Sequence, residues 1–269
     1  MGQPRVMGKQ QAHELATVVT TMAAGVRTIM LNRPEQMNAL YSQVYRDLEA
    51  AFDLAETDAE CRAVVLTGAG DRAFCAGGDK ALDLGNLGSY SVEDSIEEHE
   101  LAQGVIRRIR DSALPVIARV NGVAVGGGLD LALACDLVIA AESARFGSLW
   151  ITRGIVPALG GGWLLPRIVG TLKAKELMLT GRLVDGAEAA ELGLVTRVVS
   201  DADLDAAVDA AVSQILAHPA LALRFTKRLA NAAAEGALDD YFDAATSYVG
   251  LLRSTEEFAS SVAAMAARA

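Results

Sequence analysis

Hydrophobic and polar positions alternate in two rhythms over the first two hundred residues and in one rhythm thereafter. Thr17–Thr21 and Val26–Leu31 are β-rich runs separated by Ala23–Ala24–Gly25, a pattern that predicts a hairpin. Asn32–Arg33–Pro34–Glu35 ends the second run. From Tyr41 to Ala55 the apolar residues Val44, Leu48, Ala51 and Phe52 recur at helical spacing. Arg62–Thr67 is a short apolar run bounded by Gly68 and Gly70, as a buried strand would be. A helix over Ile96–Arg110, strands over Pro115–Val120 and Leu137–Ala140, helices over Gly160–Val169, Leu172–Leu179 and Gly186–Leu192, and a strand over Val195–Val199 continue the alternation. From Asp201 onward only the helical period remains, over Asp201–Leu216, Leu221–Ala234, Leu238–Leu252 and Thr255–Ala267. Strands alternating with helices, then helices alone, predict an α/β core over 15–200 and an all-helical region over 201–269. Residues 1–14 read as a loose polar leader. The acidic stretch Lys80–Ser95 lacks a period and reads as a mobile lid or pocket wall.

Composition narrows this picture. Of 269 residues, 52% are apolar and only 5% aromatic, which describes an ordinary helix-rich globular chain. The tail is alanine-rich and short-sided, so it is expected to pack on another subunit. A formal charge of −10 argues against a nucleic-acid partner, because nothing neutralises phosphates at scale. No run of 18 apolar residues is present to span a membrane, and the N-terminus lacks a secretory apolar core. The expectation is a soluble, cytoplasmic protein. Cys61, Cys75 and Cys135 have no C-x-x-C spacing, and only His13, His99 and His218 could join them, so neither a metal site nor a disulfide scaffold is expected.

Two glycine turns carry the chemistry. One is Phe74–Cys75–Ala76–Gly77–Gly78–Asp79. The other is Asn121–Asp136 (N-G-V-A-V-G-G-G-L-D-L-A-L-A-C-D), whose triplet Gly126–Gly127–Gly128 opens a buried helix. Each follows an apolar strand and can aim a free N–H outward, and a helix start adds partial positive charge. Two such amides converging on one point would form an oxyanion hole. The alternative is a pair of tight turns that pack helix against sheet. Neither turn carries the dinucleotide or phosphate-loop fingerprint.

The chain resembles the crotonase superfamily, the enoyl-CoA hydratase/isomerase family. The resembling motifs are L-N-R-P-E-Q-M-N-A-L (31–40), V-V-L-T-G-A-G-D-R-A-F-C-A-G-G-D (64–79), P-V-I-A-R-V-N-G-V-A-V-G-G-G-L-D-L-A-L-A-C-D (115–136), A-R-F-G (144–147) and L-P-R-I-V-G…A-K-E-L-M-L-T-G…A-E-L-G-L-V (165–195). The resemblance implies a crotonase-like spiral of ββα units with a C-terminal helical trimerisation region, in trimers or hexamers. It also implies an acyl-CoA thioester substrate, with coenzyme A entering as part of that substrate and no separate cofactor. It places the oxyanion donors on the amides of Gly78 and Gly127. Met37, Ala39, Leu40, Ala76, Asp79 and Lys80 then lie along the CoA and acyl channel, with Val123, Leu149 and Trp150 as further substrate-binding positions.

The proton-moving side chains are where the sequence departs from this family. Hydratases carry two glutamates; the first position is Asp130 here and the second is Trp150, which cannot transfer a proton. A third position, used by several isomerases and by the aryl-CoA dehalogenase, is Ala158. Asp130 therefore stands as the candidate acid–base group, or as a helix-start acid favoured by the dipole. Burial would raise its pKa and the helix start would lower it. Trp150 is either a pocket wall or indole donor, or core. Arg153 either holds an acyl carboxylate or is a surface arginine. Glu97, Glu98, His99 and Glu100 either supply a second acid or form a solvated face. Lys227 and Arg228 are candidates for meeting CoA phosphates. One carboxylate suits a double-bond shift, thioester hydrolysis or decarboxylation better than water addition, which asks for two proton-handling groups; the alternative from another class is a CoA-thioester-binding protein with little turnover, Trp150 standing where the second acid would be.

Overall fold

Strands apolar on both faces set the architecture of this computed structural model, which describes residues 11–79 and 91–266. Seven strands form one sheet: β1 (Gln11–Glu14), β2 (Val18–Ala23), β3 (Val26–Leu31), β4 (Ala63–Gly68), β6 (Val116–Val120), β8 (Leu137–Ala141) and β11 (Arg197–Val199), in the order β1-β2-β3-β4-β6-β8-β11. Pairing is antiparallel through β3 and parallel from β3 to β11. Four short strands form a second sheet in the order β10-β9-β7-β5: β5 (Ala73–Cys75), β7 (Val123–Val125), β9 (Arg145–Gly147) and β10 (Val184–Asp185). Each turn of the chain contributes a long strand to the first sheet and a short one to the second, then a helix. This is the expected α/β spiral of ββα units.

Every residue of β4 is buried because helices cover both faces of the central sheet. Val64 and Leu66 face the large core under α1 (Ser42–Thr57), α2 (Val92–Asp111) and α3 (Gly127–Ala134). Ala63 and Val65 face the opposite side, where Leu204, Val208 and Val212 of α7 (Leu204–Leu216) complete a second cluster with Ile117 and Ile139. Thus α7, beyond residue 200, packs on the sheet. Between β9 and β11 lie α4 (Gly161–Val169), α5 (Thr171–Thr180) and α6 (Gly186–Glu191).

Three expectations shift. Residues 11–14 of the supposed leader form β1, whose register runs from Gln11 opposite Met22 to Glu14 opposite Val19; backbone pairing holds this edge strand although its sequence, Q-A-H-E, is mostly polar. The helix expected from Ile96 begins at Val92, because Ser91 and Asp94 form a reciprocal capping box. The rest of the acidic stretch, 80–90, lies outside the described residues, as do residues 1–10 of the leader.

The remaining helices are less enclosed. In α8 (Ala220–Ala233), Lys227 reaches into the core and Phe225 stacks on Tyr248 of α9 (Leu238–Arg253) with ring centroids 4.2 Å apart. None of the α9 residues is buried, and Leu238, Phe242, Val249 and Leu251 stay exposed. α10 (Glu256–Ala266) adds exposed Phe258 and Val262. Among the described residues no single helix is long and apolar enough to cross a membrane; Asp201–Leu216 with Ala220–Ala233 passes such a test only as a pair bent by 105°.

Candidate active site

The two glycine turns meet because their strands are neighbours. β5 and β7 run parallel, with Ala73 opposite Val123 and Cys75 opposite Ala124, so the chain leaves both at the same sheet end. Gly77 turns at φ +78°, and a Cβ there would sit 2.8 Å from the Val125 carbonyl and 3.3 Å from the Gly127 nitrogen. Gly128 is tighter still: its Cβ would fall 2.1 Å from the Cys75 carbonyl oxygen, so α3 rests directly on β5. Glycine is required at both positions because backbone occupies the space of a side chain.

Segment 33–40 is stitched to the first turn. The Leu40 N–H donates to the Gly77 carbonyl (2.8 Å), the Ala76 N–H to Met37 (3.0 Å) and the Asp79 N–H to Leu40 (2.9 Å). Asn38, at φ +56°, holds the segment down by donating its amide to the Ala69 and Ala73 carbonyls. No hydrogen bond within the described residues pairs the Gly78 N–H, and none pairs the Gly127 N–H, the first residue of α3.

Gly78 and Gly127 both line one cavity of about 590 Å³. Met37, Ala39, Ala76, Asp79, Val123, Leu149 and Trp150 line it with them, the Trp150 ring 3.9 Å from where a Gly127 Cβ would stand. Leu40 lies just behind this lining, only 2% exposed, its Cδ1 3.0 Å from where a Gly127 Cβ would stand. Lys80 lies outside the described residues. Asp79 is held by the Arg33 guanidinium at 2.8 Å. Arg153 lines the cavity and its guanidinium donates to the Gly78 carbonyl at 2.9 Å, which fixes that turn from the other side.

Asp130 sits one layer deeper, fully buried and not part of the lining. Burial pushes its carboxyl up to about 7, against the opposing pull of the nearby Gly161 N–H and the Trp150 indole N–H. Burial thus wins the contest with the helix start. Neither N–H completes a hydrogen bond to it: both carboxylate oxygens lack a partner, as does Trp150 Nε1. A Cβ on Gly161 would fall 2.0 Å from Asp130 Oδ1, so the first residue of α4 is pressed against the carboxyl. Leu159, 3% exposed, and Trp150 flank Gly127 and stand beside it.

Lys227 takes a role other than the one considered from sequence. Its ammonium is buried against Asp136 (2.8 Å) and donates to the Ile109 and Leu114 carbonyls, which ties α8 to the core. In α2, the His99 Nδ1 lies 2.7 Å from the Ser95 carbonyl and the Ser42 hydroxyl donates to Glu98; neither they nor Glu97 and Glu100 line the cavity. Sequence reasoning missed Gly161 and the mouth residues Glu35, Arg72 and Thr152. The signal for Gly161 was present: Gly160–Gly161–Gly162 is a second glycine triplet, read only as a helix start.

Comparison with known proteins decides the family. The family profile described as "Enoyl-CoA hydratase/isomerase" matches residues 21–268. The chain belongs to the enoyl-CoA hydratase/isomerase family, of the crotonase superfamily. It is 35% identical to a crotonyl-CoA hydratase of Syntrophomonas wolfei over 85% of this chain and 86% of that one. It is 33% identical to the 1,2-epoxyphenylacetyl-CoA isomerase of Escherichia coli over 93% and 95% of the two chains. The crystal structure of an enoyl-CoA hydratase from Polaromonas superposes with a TM-score of 0.89 at 31% identity, covering 93% of this chain and 97% of that one. The crotonase fold and the assignment as an enoyl-CoA hydratase/isomerase family enzyme rest on these matches together.

Proposed function

We propose that this family member binds an acyl-CoA thioester in the cavity and stabilises its enolate, with the Gly78 and Gly127 N–H groups donating to the thioester oxygen. The observation that carries this reading is that two glycine turns at adjacent strand ends, each with an N–H lacking a backbone acceptor, open on one cavity. Removing one donor of this kind typically slows turnover by about 10²–10³. No cofactor enters this scheme beyond the CoA of the substrate.

Asp130 is the proton carrier in this reading, and one carrier suits a double-bond shift. Its carboxylate takes a proton from C2 of a 3-enoyl thioester, and the electron pair moves through the carbonyl onto the oxygen. The same carboxyl then returns the proton at C4. The double bond ends between C2 and C3, and Asp130 is ionised again. A pKa raised to about 7 lets the group serve in both directions near neutrality. Hydration is the second reading, favoured by relatives named crotonyl-CoA hydratase and short-chain-enoyl-CoA hydratase. It asks for a second acid that Trp150 and Ala158 do not supply.

The test offers the enzyme 2-enoyl- and 3-enoyl-CoA thioesters and follows conjugated thioester absorbance. A gain with 3-enoyl substrate supports the shift, and a loss with 2-enoyl substrate supports hydration. Calorimetric binding with no absorbance change for any of them overturns both. The exposed apolar side chains of α9 and α10 support, in addition, a trimer or a dimer of trimers built through the tail, which sedimentation would detect.

A further inference from the structure

Polar atoms without partners meet at one buried place: both carboxylate oxygens of Asp130 and the indole Nε1 of Trp150. Asp130 is fully buried and Trp150 is 9% exposed. Their chemistry is complementary, since an indole N–H only donates and an ionised carboxylate only accepts. Protein interiors rarely leave such groups unmatched. Trp150 also lines the cavity, and its ring stands 3.9 Å from where a Gly127 Cβ would be, about one helical turn before Asp130 on α3.

We propose that Trp150 is a positioning residue for Asp130: its indole N–H holds one carboxylate oxygen and thereby fixes the other as the oxygen that gains and loses the proton. This rests on Asp130 being the proton carrier. It also accounts for a tryptophan where a second acid is expected: the ring steers the one acid present instead of replacing the lost one. A tryptophan that merely filled space could be replaced by phenylalanine without moving the midpoint of its neighbour.

The surroundings isolate the pair. Asp130 packs among α2, α4, β5 and β7. On α2, Arg108 pairs with Asp53 and Glu56, Arg110 with Glu235, and Arg107 is exposed and donates to Gln103. On α4, Arg167 lies over Trp163 at 3.8 Å from the ring centroid. β7 carries no ionisable group. The titratable neighbour that feels Asp130 is the Cys75 thiol of β5, pushed to about 12 chiefly by burial. The remaining ionisable groups of α2 are Glu93, Asp94, Glu97, Glu98, His99, Glu100 and Asp111, with the His99 ring against the Ser95 carbonyl and Glu98 accepting from Ser42; Asp130→Asn separates any effect of theirs on the indole from that of Asp130.

The experiment is an NMR titration of the whole protein with labelled indole nitrogens and labelled aspartate carboxyls. Trp163→Phe assigns the two indole signals, and Asp130→Asn assigns the carboxyl. The expected result is that the Trp150 N–H signal moves with pH at the same midpoint as the Asp130 carboxyl, and that Asp130→Asn abolishes the movement. Trp150→Phe, which keeps an aromatic ring and removes the N–H, should raise the Asp130 midpoint by about one pH unit, a tenfold change in proton affinity. It should also lower kcat while leaving KM nearly unchanged. A Trp150 signal that ignores pH while the Asp130 carboxyl titrates overturns the proposal, and this result needs no Trp150 variant to fold. Failure of the catalytic reading shows separately, as absence of absorbance change with every enoyl thioester.

Discussion

The floor of the cavity and the helical tail treat burial in opposite ways. At the floor, α3 is buried at every residue, and Gly128 and Gly161 let backbone come within contact of Cys75 and Asp130. That packing is close enough to hold a carboxyl whose ionisation it opposes. In the tail, α9 buries nothing and presents Leu238, Phe242 and Leu251 to solvent. The floor concentrates unfavourable polar burial where chemistry is proposed, while the tail leaves favourable apolar burial unmade within one chain. One region has stability to lose on function, and the other has stability to gain from contact.

The sharpest way to break the comparison is Gly128→Ala. Its Cβ would meet the Cys75 carbonyl at 2.1 Å, so α3 must lift from β5. The expected loss is at least about 4 kcal/mol, read as a collapse of the thermal unfolding transition. A melt near that of the parent protein would show the floor to be slack.

Asp130→Asn should move stability and activity in opposite directions. With a folded pKa of about 7 against an ordinary 3.8, the acid favours the fold most at low pH. That contribution fades as pH rises from about 4 to 7 and changes no further above it. The variant should therefore exceed the parent by up to about 4 kcal/mol at pH 8 and match it near pH 4. Turnover of enoyl thioesters should fall at least about 100-fold. Parallel stability curves across this range would remove the strained carboxyl from the account.

Lys227→Met leaves Asp136 half-buried without its cation, and about 3 kcal/mol should be lost in denaturant unfolding. Smallest is Phe242→Ala. At 53% exposure it should change the unfolding free energy of an isolated chain by less than about 0.5 kcal/mol. If the tail joins subunits, the same change should weaken association in sedimentation.

These residues also show what the sequence made legible. The two glycine turns stood out because glycine is the residue that fits where another backbone passes, and their strand–turn–helix setting followed from apolar periodicity. The alternating core was legible for the same reason. Less visible were features decided by partners far along the chain. Lys227 reads as one more basic residue in an amphipathic helix until Asp136 and two carbonyls are brought to it. β1 is polar and recognisable only from the strand beside it. The direction of the Asp130 shift depended on how completely α2, α4 and Trp150 cover it, a quantity that pattern does not carry.

The acid at position 130 gives the glycine at position 161 a physical reason. A Cβ at Gly161 would stand 2.0 Å from Asp130 Oδ1, so the start of α4 has no room for a side chain on the side that faces the carboxyl. Gly161→Ala would therefore press on Asp130 itself, through the helix start rather than through the cavity. The bare backbone of α4 and the carboxyl of α3 are thus fitted to one another, and a change at either position is felt at the other.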